Sequence, residues 1–241
     1  MTDPVFIHPI PADATVGSRF QLTGAEARHT EVKRMREGES LVVSDGVSRA
    51  VAASWSSGEV EIREFLPIPA PRPRVTVVQA IPKSERSELA VDLMVQAGAD
   101  RVIPWAAARC VSRWDGKEAK AKAKWENAAR AAAKQSRRLT VPPVEDLLRN
   151  IEDLRHYAQG TSRIVVLHEQ ASTPIAEQDF DVDEIFLVVG PEGSIAPEEL
   201  EALDALGAQR VVMGPEVLRT AAAATVALGA LGVLTQRWSG Q

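Results

Sequence analysis

The stretch LVVGPEGSIAPEEL, residues 187–200, decides the fold because it joins a strand to a helix through one tight turn. The unbroken aliphatic run before Gly190 is typical of a strand that is buried on both faces of a sheet. Pro197 followed by two glutamates is typical of the first turn of a helix. A similar order of residues recurs in RVVMGPEVLRT, residues 210–220. Two such units indicate an α/β fold, in which ligands bind beyond the carboxyl ends of the strands.

The glycines of the two turns, Gly190, Gly193 and Gly214, are candidates for contact with a ligand. Glycine reaches backbone angles that are closed to other residues, and it leaves room for a ligand against the main chain. The N–H groups at the start of the following helix attract a polar or anionic group. The spacing leaves two interpretations open: the turns line one ligand pocket, or they are ordinary strand-to-helix connections.

Strands and helices alternate along the chain after residue 70. This alternation predicts a mostly parallel sheet with helices on both faces, and therefore an α/β domain. The apolar segment 221–234 falls short of the ~20 strongly apolar residues of a membrane span. It predicts a buried helix, either in the core of one subunit or at a subunit interface. The other predicted elements are strands at residues 75–80, 101–106 and 163–169, a helix at residues 84–99 with Ser84 as its N-cap, and a helix at residues 117–138.

The chain before residue 67 has a different pattern: short segments rich in strand-forming residues, interrupted by Gly, Asp and Pro. This pattern predicts a small β-barrel. Prolines at alternate positions in residues 67–74 predict a stiff linker. We therefore expect a β domain at residues 1–70 and an α/β domain at residues 71–241. The predicted strands of the first domain lie within residues 4–9, 19–24, 39–46, 48–55 and 58–67.

The composition of the 241 residues, 45% hydrophobic and 25% charged, is that of an ordinary globular protein. The single cysteine, Cys110, excludes an intramolecular disulfide, and the four histidines show no metal-ligand spacing, so no metal is predicted. No signal peptide is recognisable, which favours a soluble, cytoplasmic protein without membrane attachment.

The net charge of -5 hides an uneven distribution of charge. Residues 109–149 contain eleven Lys or Arg against five Asp or Glu, whereas residues 150–215 contain three against thirteen. A basic segment of this kind binds nucleic-acid phosphates or forms a solvated helix face, and the composition leaves both open.

The paired motifs GPEGSIAPEEL and MGPEVLRTAAAA resemble the signature of the SPOUT methyltransferases, and more narrowly that of the ribosomal RNA small-subunit methyltransferase E family. Residues 27–46, 83–114 and 132–144 are similar to other segments of that family, in the same order, so the resemblance covers nearly the whole chain. It implies a PUA-like RNA-binding barrel at residues 1–70 and a SPOUT domain with a C-terminal trefoil knot at residues 71–241. It also implies a homodimer that uses S-adenosylmethionine (SAM) to methylate N3 of a uridine in 16S rRNA of the small ribosomal subunit.

The resemblance also assigns site residues. Arg219 would be the catalytic residue, because a fixed guanidinium stabilises the negative charge that develops on uracil when N3 loses its proton. The alternative for Arg219 is a structural ion pair, since a guanidinium buried alone at the start of an apolar helix would be costly. No pattern indicates a general base. The cofactor would contact Leu167, His168, Val189, Gly190, Pro191, Glu192, Gly193, Met213, Gly214, Val217 and Leu218, and RNA would contact Arg28, His29, Lys33, Arg34, Arg36, Gln135 and Arg138.

Some of these residues have ordinary structural alternatives. Leu167 and Met213 suit core packing, Glu192 suits the start of a helix, and His168 suits a surface or a capping position.

Three positions depart from the family pattern: Ser194 stands in place of a glycine, Ala196 in place of a serine, and Ala221 in place of a glutamate. The loss of serine at a helix start weakens the cap by about 0.5–2 kcal/mol. Two alternatives therefore remain, a related SPOUT enzyme that acts on another RNA and a catalytically weak RNA-binding ribosome-assembly factor. A dinucleotide-dependent oxidoreductase is disfavoured because no Gly-x-Gly-x-x-Gly follows residues 75–80.

Overall fold

The chain divides into two compact units in the computed structural model, which describes residues 3–83 and 86–239. The first unit comprises Met1–Pro69 and Ala133–Val141, and the second comprises Ala70–Ala132 and Pro142–Gln241. The sequence predicts a boundary near residue 70 but gives no sign that residues 133–141 belong with the first unit.

The first unit contains a five-stranded sheet in the order β1-β3-β4-β5-β2. β1 pairs with β3 in parallel, and the remaining pairs are antiparallel. The inward face carries fully buried side chains such as Phe6, Leu41 and Ile62. The strands are β1 (Val5–Ile7), β2 (Arg19–Phe20), β3 (Ser40–Ser44), β4 (Ala50–Ser56) and β5 (Glu59–Leu66).

A helix in the first unit, α1 (Gly24–Lys33), is absent from the sequence prediction, which gave only strands in this region. The buried residues of α1 are Glu26 and Thr30. The apolar residues at every third or fourth position that reveal a helix in a sequence are therefore missing. The prediction was wrong here because the inward face of this helix is polar.

The second unit is built on a five-stranded sheet in the order β10-β8-β9-β6-β7. All of its strand pairs are parallel, which confirms the predicted α/β class with a mostly parallel sheet. β9 is buried along its whole length, as its continuous aliphatic sequence predicts. The strands are β6 (Arg74–Ala80), β7 (Arg101–Trp105), β8 (Ser162–Leu167), β9 (Glu184–Val189) and β10 (Gln209–Val211).

Helices connect these strands and cover the sheet. The last helix packs against the first helix of this unit and contacts β6 and β9. Among residues 3–83 and 86–239, no helix is long and apolar enough to cross a membrane. The predicted N-cap Ser84 lies outside the described residues. The helices are α2 (Ser87–Gln96), α3 (Glu118–Gln135), α4 (Pro197–Ala205) and α5 (Thr220–Leu234), with 3-10 turns at Ile151–His156 and Ile175–Glu177.

Glu184 ties three strands together at the amino-terminal edge of the parallel sheet. One carboxylate oxygen accepts hydrogen bonds from Thr76 Oγ1 at 2.5 Å and Arg101 Nη2 at 2.6 Å, and the other accepts from Arg74 Nη2 at 2.8 Å. Burial alone would raise the pKa of this carboxyl. The hydrogen bonds and the charge of Arg101 outweigh it, so that the pKa of Glu184 is lowered from its ordinary 4.5.

We predict that Glu184→Gln lowers the free energy of unfolding at neutral pH by about 1.5–3 kcal/mol, because the two arginines lose their charged acceptor. The folded-state pKa lies below the unfolded-state pKa, so the carboxylate stabilises the fold fully above about pH 4.5 and loses this effect as the pH falls through the folded-state pKa. Urea unfolding at several pH values should show the difference between the two proteins shrinking on acidification. The exposed Asp204, paired with Arg210, provides a control, since Asp204→Asn should change stability by about 1 kcal/mol or less.

Candidate functional site

A cleft of about 530 Å³ opens at the carboxyl ends of β8, β9 and β10. Three loops line it: residues 167–169 after β8, residues 189–195 after β9, and residues 211–220 between β10 and α5. The two Gly-Pro-Glu turns, at Gly190 and Gly214, therefore lie in the same cleft. Parallel sheets bind ligands at this edge, and the volume lies within the usual range of about 300–1,000 Å³ for ligand sites.

Gly190 allows the loop after β9 to turn back on itself. A Cβ atom at this position would lie 2.6 Å from Cγ1 of Ile195, which is buried. The turn is closed by the Ser194 N–H, which donates to the Pro191 carbonyl at 3.0 Å. Neither Gly190 nor Gly193 has a positive φ, so the expectation of a special backbone angle there was wrong. Glycine is needed for space, not for conformation.

Ser194, which replaces a glycine of the family pattern, adopts the left-handed conformation with φ 61. A side chain in this region costs about 1–2 kcal/mol relative to a right-handed one. Its hydroxyl donates to Glu169 Oε1 at 3.2 Å and so joins the loop after β9 to the loop after β8. Both residues line the cleft.

The start of α4 shows how the missing serine cap is replaced. Ala196 occupies the N-cap position and has no side-chain acceptor. Glu199 accepts the Ala196 N–H at 3.1 Å through one oxygen and the Ala108 N–H at 2.8 Å through the other. One carboxylate thus holds the helix start and a neighbouring loop together.

His168 is a buried part of the first loop and not a surface side chain. Its backbone N–H donates to the Val211 carbonyl at 3.0 Å, and Nδ1 of its ring accepts the backbone N–H of Gln170 at 3.2 Å. Because Nδ1 is an acceptor, the hydrogen of the neutral ring resides on Nε2. Two main-chain hydrogen bonds thus hold His168 in the lining of the cleft.

Arg219 lines the cleft at the N-cap of α5, and its side chain is exposed. The predicted cost of burying a lone guanidinium therefore does not arise. Within the part of the chain that the structure describes, no carboxylate forms an ion pair with Arg219. The guanidinium is available to a ligand.

Three carboxylates, Glu169, Glu192 and Glu216, also line the cleft. Glu192 Oε1 accepts the Lys83 N–H at 3.3 Å, which connects this wall to the loop after β6. Together with the apolar side chains of the three loops, these groups suit a ligand that has a flat apolar part and a positive charge. Within residues 3–83 and 86–239, no group of three His, Cys, Asp or Glu side chains is arranged to hold a metal ion.

All eleven residues that the resemblance assigns to the cofactor line this cleft. Sequence reasoning did not assign Ser194 and Ile195 to the cofactor, although both line the cleft. Glu169 and Glu216 belong to the loops that the sequence predicts around the pocket, and both line the cleft.

The seven residues assigned to RNA all lie in the first unit. Lys134 donates to both oxygens of the buried Glu26, at 2.7 and 2.8 Å, which fixes the end of α3 against α1. His29 differs from the basic residues, because burial and the charge of Lys134 lower the pKa of its ring, which is therefore neutral at neutral pH. Arg28, Lys33, Arg34, Arg36 and Gln135 are exposed, while His29 and Arg138 are half-buried.

Comparison with known proteins agrees with this architecture. Residues 69–232 match the family described as RNA methyltransferase domain. The chain is 46% identical to ribosomal RNA small subunit methyltransferase E of Mycobacterium bovis, over 92% of this chain and 89% of the relative. It is 30% identical to the Bacillus subtilis protein of the same name, over 90% and 91%.

A solved structure shares the fold over almost the entire chain. The Neisseria gonorrhoeae ribosomal RNA small subunit methyltransferase E, crystallised with bound S-adenosyl methionine, has a TM-score of 0.87 at 25% identity and covers 97% of this chain and 98% of its own. Fold and cleft thus define an RNA methyltransferase domain. The chain belongs to the ribosomal RNA small subunit methyltransferase E family.

We predict that Ser194→Gly is more stable than Ser194→Ala by about 0.5–1 kcal/mol, although both lose the hydrogen bond to Glu169. Glycine removes the left-handed strain, whereas alanine keeps it. Urea unfolding of the two variants measures the difference. At exposed Ser48, whose φ is not positive, alanine should be the more stable of the two. An alanine variant at 194 that equals or exceeds the glycine variant would contradict the assigned strain.

Proposed function

We propose that this protein transfers a methyl group from SAM to N3 of a uridine in 16S rRNA. The observation that carries this proposal is the cleft at the carboxyl edge of the parallel sheet, formed by the family motifs of the three loops. The chain belongs to a family whose named members are small-subunit rRNA methyltransferases, and the Neisseria gonorrhoeae protein was crystallised with SAM.

The chemistry of the cleft fits SAM. Leu167, Met213 and Leu218 provide an apolar slot for adenine, and the main chain of the glycine turns provides hydrogen bonds for its edge. Glu169 and Glu192 would accept hydrogen bonds from ribose hydroxyls or from the ammonium group. Their negative charge also favours the positively charged sulfonium.

The residues of the cleft would serve the reaction in different ways. When bound, SAM supplies an electrophilic methyl group, and the electron pair of its breaking carbon–sulfur bond stays on sulfur. Arg219 would stabilise the negative charge on the uracil oxygens as the N3 proton passes to solvent and N3 gains the methyl group. Because N3 normally faces a pairing partner, the target base must be unpaired or flipped into the cleft.

The first unit would hold the RNA. Its exposed basic side chains, including Arg28, Lys33, Arg34 and Arg36, suit phosphate contacts, which give affinity and position without reading sequence. We propose that this unit is a PUA-like barrel at residues 1–70 and that residues 71–241 form a SPOUT domain whose C-terminal loops make a trefoil knot. Both assignments rest on the motif resemblance.

The functional form would be a homodimer in the cytoplasm, where ribosomal subunits mature. On α5, the side chains of Val226, Val233 and Leu234 are 45%, 75% and 41% exposed. Val226 and Val233 are seven residues apart and therefore lie on the same face of the helix. Apolar side chains repeated on one face of a helix suit packing against a second copy. The alternatives are a related enzyme acting on another RNA and a catalytically weak ribosome-assembly factor.

We predict that Arg219→Ala reduces turnover about 10²–10³-fold, as expected when a group that stabilises transition-state charge is removed. Transfer of labelled methyl groups from SAM to 16S rRNA, followed by mapping of the modified nucleotide, measures this effect. Calorimetry should show that SAM still binds. Arg155→Ala, in the 3-10 helix Ile151–His156, should retain wild-type turnover. Turnover of the Arg219 variant within about twofold of wild type would contradict the catalytic role of Arg219, whereas no methyl transfer by the wild-type protein would favour the assembly factor.

We also predict that Gly214→Ala weakens SAM binding by about tenfold or more without changing stability. An added Cβ would have Glu216 as its nearest neighbour at 3.6 Å, so the fold accepts it, but it would occupy the cleft lining. Gly229→Ala is the matched control, since its Cβ would meet Trp238 at 3.8 Å and lies outside the cleft. Calorimetry and urea unfolding separate the two effects, and undiminished SAM affinity of the Gly214 variant would count against the assigned site.

A further inference from the structure

The loop between β7 and α3, residues 106–117, presents Arg109 and Arg113 on the surface of the second unit. Between and beside them, Cys110 and Trp114 are buried. Trp114 packs edge-on against Trp125 with ring centroids 5.0 Å apart. Burial raises the pKa of the Cys110 thiol to about 11, so this side chain is an apolar anchor and not a reactive group. The loop is thus held from within while its arginines face solvent.

The same loop forms the outer support of the cleft wall. Arg109 Nη1 donates to the Gly193 carbonyl at 3.3 Å. A Cβ on Gly193 would lie 3.2 Å from both Cβ and the carbonyl oxygen of Arg109, so the two segments are in close contact. The guanidinium of Arg109 therefore lies beside a residue that lines the cleft. Arg113 Nη2 donates to the Ala108 carbonyl at 3.3 Å, which keeps the second guanidinium on the same loop.

Arg109 and Arg113 differ from most arginines of the second unit in their charge environment. Among the described residues, neither Arg109 nor Arg113 has a carboxylate within ion-pair distance. Most other arginines of the second unit do have one: Arg72, Arg74, Arg101, Arg149, Arg163, Arg210 and Arg237.

The cleft and its rim therefore differ in charge. The cleft lining contains Glu169, Glu192 and Glu216, which repel a phosphate. A base that enters the cleft brings a phosphate on either side of its sugar, and these phosphates must lie outside the carboxylates. Two guanidiniums without carboxylate partners, on a rigid loop beside Gly193, meet that requirement.

We propose that Arg109 and Arg113 form an arginine rim that binds the RNA phosphates next to the nucleotide whose base enters the cleft. Guanidinium groups bind phosphate oxygens through two parallel hydrogen bonds, which fixes position as well as charge. The rim belongs to the unit that carries the cleft, so it sets the register of the target nucleotide there. This proposal rests on the proposed function, because it takes RNA as the substrate.

The test compares the Arg109→Gln/Arg113→Gln double variant with wild type in binding to 16S rRNA transcribed in vitro. Binding is measured by fluorescence anisotropy over a series of salt concentrations. Loss of two phosphate contacts should weaken binding by about tenfold at about 0.1 M salt and reduce the slope of log affinity against log salt by about 1.5. Calorimetry with SAM should give the wild-type affinity within about twofold, which shows that the cleft is intact.

Two further variants separate specific contact from general charge. Arg155→Gln removes one positive charge from a 3-10 helix that contributes no residue to the cleft, and it should leave the salt slope unchanged. Arg109→Lys keeps the charge and should keep most of the slope. An unchanged affinity and slope in the double variant would overturn the proposal, as would an equal loss in the Arg155 variant or a loss of SAM binding in the double variant.

A methylation assay distinguishes failure of this proposal from failure of the proposed function. If both hold, the double variant should show a raised KM for RNA and a nearly unchanged kcat at saturating RNA. If the wild-type protein transfers no methyl group to 16S rRNA, the proposed function fails, and the binding measurements still decide whether the arginine rim contacts phosphates.

Discussion

The close approach of main chain to its neighbours at Gly190 and Gly193 is the constraint on which the site depends. At Gly190 the chain folds back onto the buried Ile195, and at Gly193 it packs against the backbone of Arg109. A side chain at either position would push the loop after β9 away from its support. The wall of the cleft and the position of Arg109 beside it would then change together. The lack of a side chain at Gly190 and Gly193 thus determines both the shape of the cleft and the position of the Arg109 charge beside it.

The two edges of the parallel sheet use charge in opposite ways. At the amino-terminal edge, the carboxylate of Glu184 is enclosed by donors from Thr76, Arg74 and Arg101, so charge is satisfied within the fold. At the carboxyl edge, Arg109 and Arg219 have no carboxylate partner among the described residues. Paired charge stabilises a structure, whereas unpaired charge on a rigid loop has its main favourable interaction with a ligand. Under the proposed function, the strand direction therefore separates the structural ion pair at one edge from the unpaired arginines that serve the ligand at the other.

The sequence predicts the second unit well because its strands are long aliphatic runs and their pairing is parallel throughout. Both Gly-Pro-Glu turns are recognisable in the sequence, since Gly and Pro interrupt those runs. α1 was missed because its inward side chains, Glu26 and Thr30, are polar and leave no apolar period.

The sequence also gave no indication that residues 133–141 group with the first unit. That association is made by long-range contacts, such as the pairing of Lys134 with Glu26, whose partners are more than one hundred positions apart, and the Val141 N–H that donates to the Gly46 carbonyl. Local patterns do not report contacts of this separation. For the same reason, the sequence named the loops of the cleft but not the bonds between them, such as that from Ser194 to Glu169.

The three departures from the family pattern are each accommodated by neighbouring residues. Ser194 takes the strained left-handed angle but gains a hydrogen bond to Glu169. Ala196 lacks a capping oxygen, and Glu199 accepts its N–H instead. Ala221 is only 6% exposed, so a glutamate there would have to bury its charge or pair with a cation. With alanine at 221, the guanidinium of Arg219 has no carboxylate partner among the described residues, and under the proposed function it is free to meet the charge that develops on the uracil ring.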